Sequence, residues 1–155
     1  MKKVTLQNYK KDKYYIKIVT AVAKLLENKD DISTIDILLA MGNLLPKDYE
    51  KWLNGQIYCL ENIFQGSLSK ANRILYIIGF HMHDLNMVKF EKQLRSKRNG
   101  KELRLSKRGI KKLDKLYCTN YKWNRSQEIK SKIIEELLIK TQKNAPQKKL
   151  ILDEI

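Results

Sequence analysis

The chain has 155 residues, enough for one domain with appendages and too few for two ordinary cores, and 43% hydrophobic with 32% charged residues is a folding composition. Its longest apolar run, Ile74 to Met82, is interrupted by Gly79 and falls far short of the ~20 residues of a membrane span. The first residues turn polar at Gln7 and Asn8, so no secretory leader is expected and the chain is read as cytoplasmic, with Cys59 and Cys118 as free thiols. The net charge is +15, from 26 Lys and 6 Arg against 17 acidic residues, which favours a polyanionic partner if the cations cluster.

In chain order, the apolar spacing of Tyr15, Ile18, Val19, Val22, Leu25 and Leu26 predicts a surface helix over 12–27 with a lysine back. A short helix over 31–44 follows, capped by Ser33 or Thr34 and ended by Gly42, and then another from Pro46 to Leu53. This pair invites comparison with a helix-turn-helix. The second helix, however, carries Asp48 and Glu50 as well as Lys47 and Lys51, so its field offers little to DNA and a packing hairpin is the plainer account.

A further helix is predicted over 57–64, then a long one capped by Ser69 and running to about Leu85. Its centre is apolar nearly all round and belongs in the core, with Gly79 marking a close helix contact. From Val88 the period changes to two. Val88, Phe90 and Leu94 alternate with polar residues, and Leu103 and Leu105 flank Arg104 beyond Asn99-Gly100, which predicts a β-hairpin at about 88–106 with a type I′ turn. That register sets Leu94 opposite Leu105, Arg95 opposite Arg104 and Lys92 opposite Lys107, a repulsion that an anion between the arginines would relieve. Helical spacing resumes over 110–118, with Ile110, Leu113, Leu116 and Tyr117 inward. It returns over 126–143, where Ile129, Ile133, Ile134, Leu137 and Leu138 share a stripe.

The expected fold is therefore mainly α: a compact helical domain of about six helices with one projecting two-stranded β-hairpin. Residues 1–121 form the helical core domain, 122–145 a C-terminal helix that packs on it or mediates assembly, and 146–155 an apolar and acidic tail.

The charge is segregated. Residues 29–65 carry 3 Lys against 6 acidic residues, whereas residues 89–115 carry 12 Lys or Arg against 3 acidic residues, including four of the six arginines. A general drift toward lysine would raise every segment and would not cluster arginine. Lys89, Lys92, Arg95, Lys97, Arg98, Arg104, Lys107, Arg108, Lys111, Lys112 and Lys115 are thus the candidate phosphate contacts, forming one ridge on the hairpin and the helix after it. Among nearby aromatics, Phe90 and Tyr117 are expected in the core. Tyr121 and Trp123, in a polar and basic connector, are candidates for base stacking or for docking the last helix, and Trp123 is included among the candidate site residues.

Little supports chemistry. His81 and His83, two apart on a helix, diverge by about 200° and do not face one ion. Asp36, Glu50, Glu61 and Asp84 are dispersed, and no phosphate loop or nucleophile motif occurs, so no metal, cofactor or catalytic residue is expected.

Tyr58, Leu60 and Glu61, the run Asn72-Arg73-Ile74-Leu75 after Leu68-Ser69-Lys70, and Leu103-Arg104-Leu105-Ser106-Lys107 give the sequence a resemblance to short bacterial proteins with no assigned function. The resemblance spans about residues 14–121 and implies no activity. The expectation is a small basic protein binding DNA or RNA through phosphates. The alternative is an interaction or inhibitor module, phage or mobile-element encoded, that docks on an acidic or nucleic-acid-binding surface of a partner and uses its last helix and tail for that contact or for self-assembly.

Overall fold

In the computed structural model, which describes residues 3–123 and 125–143, the first apolar stripe becomes helix α1 (Tyr15–Leu26), with Tyr15, Ile18, Val19, Val22 and Leu26 buried. A short strand, β1 (Asp31–Ser33), leads directly into α2 (Thr34–Met41). Ser33 starts that helix with a reciprocal cap: its hydroxyl accepts the Asp36 amide at 2.9 Å while the Asp36 carboxylate accepts the Ser33 amide at 3.0 Å. Gly42 ends it at a φ of +82°, which glycine adopts without a Cβ penalty. Pro46 then opens α3 (Pro46–Leu53), which buries Trp52 and Leu53.

The helix predicted over 57–64 is only a single 3-10 turn, Leu60–Ile63. The amides inside the predicted span are committed elsewhere: Leu60 N–H donates to the Arg104 carbonyl at 3.0 Å and Glu61 N–H to the Leu105 carbonyl at 3.1 Å, so an α-helix begun at Ile57 cannot run through them. The long central helix α4 (Leu68–Asp84) is capped by Ser67, not Ser69, through a bond from the Lys70 amide to the Ser67 hydroxyl at 3.1 Å. It buries Ala71, Ile74, Leu75, Ile77, Ile78, His81 and Met82. A Cβ at Gly79 would meet nothing within 4 Å, so the expected close helix contact is absent and the glycine is simply accommodated.

Strand β2 (Val88–Glu91), helix α5 (Lys111–Tyr117), strand β3 (Thr119–Lys122) and helix α6 (Gln127–Lys143) complete the described chain, which is mainly α with a small antiparallel sheet. The strand order is β1-β3-β2: Ile32 lies opposite Tyr121, and Tyr121 opposite Lys89. Val88 to Glu91 therefore pairs with a strand about 30 residues later in sequence instead of across its own hairpin. α6 packs along α1, with Ile134 and Leu137 reaching the core, while Ile129 is 46% exposed and off the packed stripe. The expected tail lies outside the described residues.

The hairpin closes in a different register from the one expected. Arg95 lies opposite Glu102, Leu103 N–H donates to the Leu94 carbonyl at 2.9 Å, and Ser96 N–H to the Lys101 carbonyl at 2.8 Å. A type I′ turn needs positive φ at both central residues, and of Asn99 and Gly100 only Gly100 has it, at +71°. The connection is instead four residues, 97–100, with Asn99 Oδ1 accepting the Lys101 amide at 3.0 Å. Arg95 thus faces a carboxylate and not Arg104, and the expected repulsion, with the anion invoked to relieve it, does not arise. Nor does the tip project freely, since Ser96 is buried and Lys97 N–H donates to the Leu53 carbonyl of α3 at 2.8 Å.

Candidate nucleic-acid interface

The run Leu103-Arg104-Leu105-Ser106-Lys107 keeps the alternation expected of a strand. Leu103, Leu105 and Ser106 are buried while Arg104 and Lys107 are exposed. Its backbone is fixed by the 52–61 region. The Arg104 carbonyl accepts both Leu60 N–H and the indole N–H of the fully buried Trp52, at 3.0 and 2.9 Å. Glu61 completes the hold with one oxygen on each side of the turn: Oε1 accepts the Lys107 amide at 2.7 Å, and Oε2 accepts the Tyr117 hydroxyl at 3.0 Å. Burial, reinforced by that carboxylate, pushes the Tyr117 phenol well above its ordinary range, so it remains a donor. Ser106 links the run to α5, its amide donating to Asp114 Oδ1 and its hydroxyl accepting the Ile110 amide, both at 2.8 Å.

All eleven candidate cations, and Lys101 beside them, are exposed. Two pair with carboxylates, Lys97 with Glu50 and Lys115 with Glu91, each at 3.4 Å. The other ten make no ion pair among the described residues. Arg95 is tied to its own hairpin, its guanidinium donating to the Gly100 carbonyl and to Gln93 Oε1.

These cations do not form one uninterrupted ridge. Arg104, Lys111 and Lys115 line a cleft of about 550 Å³ between the hairpin and α5, but Glu91, Glu102 and Asp114 line it too. Lys89 and Lys115 border a second hollow with Phe90 and Leu116, and Lys112 turns toward α4, where its ammonium lies 5.2 Å from the Tyr76 ring centre.

The aromatic assignments change. Trp123 is 2% exposed and its indole N–H donates to the Leu85 carbonyl at 3.2 Å; Tyr121 is buried on β3. Neither is available for stacking on a base, because each fills the core behind the sheet. Tyr117 is buried as expected, whereas Phe90, expected inside, is 43% exposed on edge strand β2, and Ile110 is 43% exposed. The most exposed aromatic beside the cations is Tyr58, at 63%, with the Arg104 guanidinium 5.0 Å from its ring centre. Tyr58 lies 46 residues before Arg104 in the sequence, so no local pattern sets the two together.

The carboxylates considered for chemistry serve the structure. Asp36 caps α2, Glu50 pairs with Lys97, Glu61 holds the basic turn, and Asp84 accepts the Tyr9 hydroxyl, a bond that holds its carboxyl below the usual range. His81 is buried with Nε2 unpaired, while His83 is exposed. The Cys118 thiol is pushed up to about 11 by burial, which leaves it a poor nucleophile, and Cys59 is buried. No helix among the described residues is long and apolar enough to cross a membrane.

No protein-family model matches the chain, and no curated protein or solved structure matches it either. The exposure and pairing of these cations therefore carry the functional argument alone.

Proposed function

We propose that the protein binds nucleic acid, chiefly through phosphates, along the basic band running from the hairpin tip across the 104–108 turn to α5. The observation that carries this reading is that all twelve Lys and Arg of residues 89–115 are exposed and that, among the described residues, only two pair with a carboxylate. Burial and hydrogen bonding are spent on the backbone between those cations, which leaves their charges facing solvent. Such an array attracts a polyanion by counterion release, so affinity falls steeply with salt. Fluorescence anisotropy with labelled oligonucleotides at roughly 50 and 200 mM salt is the test. Binding should be clear at the lower concentration, fall at least about tenfold at the higher, and fall similarly when Lys107, Arg108 and Lys111 are changed together to Glu. The same charge change at Lys10, Lys13 and Lys17, around the start of α1, should matter much less. Absence of binding at low salt, or equal losses from the two triple variants, would defeat the proposal.

A second reading, docking on a partner protein, rests on Ile129 and Ile139 of α6, each 46% exposed. It requires a complex that survives nuclease treatment and is lost in an Ile129→Asp, Ile139→Asp double variant.

A further inference from the structure

We infer that Tyr58 and Arg104 form a site for one unpaired nucleobase, so that the protein prefers single strands with bases over a bare phosphate chain; this rests on the nucleic-acid reading above. Three observations lead there. The first is the exposure of Tyr58 at 63%, the highest among the large apolar and aromatic side chains left at the described surface. An aromatic ring in water gains by stacking, and the Arg104 guanidinium over it is a cation suited to a phosphate beside a stacked base.

The second is that the Arg104 guanidinium is held and not merely nearby. It lies 5.0 Å from the Tyr58 ring centre, and its Nη2 donates to the Lys107 carbonyl at 3.2 Å. A Cβ at Gly109, whose φ is +66°, would come within 3.2 Å of the same nitrogen. The backbone of Arg104 is fixed by Leu60 N–H, two residues from Tyr58, so ring and guanidinium are kept in register by one short connection. A planar group prepared in this way loses less freedom on binding than a solvated lysine would.

The third is the cleft that Arg104 borders. Tyr58 is not among the residues that line it, so Arg104 stands between the ring and the cleft. Its charges alternate in sign, with Glu102 and Asp114 beside Arg104 and Lys111. A phosphate inside would meet those carboxylates. A base stacked on Tyr58 therefore keeps its phosphates outside the cleft, on Lys107 and Arg108. Bases paired within a duplex are stacked on one another and cannot offer a face to Tyr58.

The test compares three labelled probes of equal length on the full chain: a single strand with bases, an abasic strand of the same phosphates, and the duplex. The wild type should bind the base-bearing strand about tenfold more tightly than the abasic one. Tyr58→Ala should remove that preference, Tyr58→Phe should keep it, and Arg104→Lys should weaken it while leaving the salt dependence nearly unchanged. Equal binding of base-bearing and abasic strands by the wild type, or a preference that survives Tyr58→Ala, overturns the inference while the phosphate-binding reading stands. Failure of every probe to bind at low salt overturns both. Because Tyr58 is mostly in solvent, its replacement should leave the far-UV circular dichroism unchanged.

Discussion

The acidic stretch 29–65 and the basic stretch 89–115 are opposite in charge and lie against each other, yet side-chain ion pairing scarcely joins them. Among the described residues a single ion pair connects the two, Lys97 with Glu50, and both partners are exposed. The contacts that do join them are hydrogen bonds to backbone: Trp52 and Leu60 to the Arg104 carbonyl, Glu61 N–H to Leu105, Lys97 N–H to Leu53, and the Glu61 carboxylate to the Lys107 amide. The difference shows how a basic surface can be held firmly without being neutralised. Had the acidic stretch met the cations side chain to side chain, it would have fixed the band and cancelled its field together.

The largest expected effect comes from the helical frame that carries both stretches, and acid is the way to reach it. His81 is buried against the Tyr15 ring, 6.0 Å between centres, with Asp84, Lys140 and Lys10 as its charged neighbours, and burial lowers its pKa to about 4. The unfolded chain takes up its proton near 6.5, so the stability due to a neutral His81 is complete above that value and is lost as pH falls toward 4. The loss amounts to about 3 kcal/mol. Urea unfolding between pH 7 and 4 should show a fall that is reduced by this amount in His81→Phe. An unchanged pH slope in that variant would mean His81 gains its proton without opening the frame.

The next effect tests the joint itself. Glu61→Ala leaves the Lys107 amide and the Tyr117 hydroxyl without their acceptor and should cost about 2 kcal/mol, since bonds to a charged group are the stronger ones and Glu61 is only half-buried. Amide exchange at Lys107 should accelerate while that at Ile74 and Ile77 does not. Uniform acceleration over the whole core would show that the two stretches unfold as one unit and that the joint is not a separate element. Trp52→Phe is milder. It removes one of two donors to the Arg104 carbonyl and should cost about 1 kcal/mol, read as a lower urea midpoint.

How far the sequence reveals this arrangement depends on the range of the forces involved. Local signals were readable: Pro46 and Leu53 bound α3, Gly42 ends α2, and the apolar girth of α4 places it in the core. The candidate cations were readable as exposed because charged side chains seldom stay buried. Partner choice was not. Val88 to Glu91 carries the period of a strand, but nothing in those residues indicates Thr119 to Lys122 as the mate in place of the nearby Leu103 run. Asn99-Gly100 looked like a two-residue turn, but a longer connection lets Lys97 N–H reach the Leu53 carbonyl of α3. The connector around Trp123 looked polar, while the indole turned inward because the Leu85 carbonyl offered it a partner. Tyr58 could be found only once the chain had brought it under Arg104.

The smallest effect should come from the ion pair that does cross between the two stretches. Lys97 and Glu50 are 60% and 57% exposed at 3.4 Å, where water screens their attraction and two long side chains must be ordered to keep it. Glu50→Ala should therefore change the urea stability by no more than about 0.5 kcal/mol. It also removes a carboxylate paired with a cation at the hairpin tip, so oligonucleotide affinity at low salt should rise slightly, by less than about threefold, and the gain should vanish at high salt. A stability loss above about 1 kcal/mol would contradict the contrast drawn between the stretches, because ion pairing would then join them after all. A stability change within the expected range together with a salt-sensitive gain in affinity would place Lys97 on the track that the nucleic acid follows.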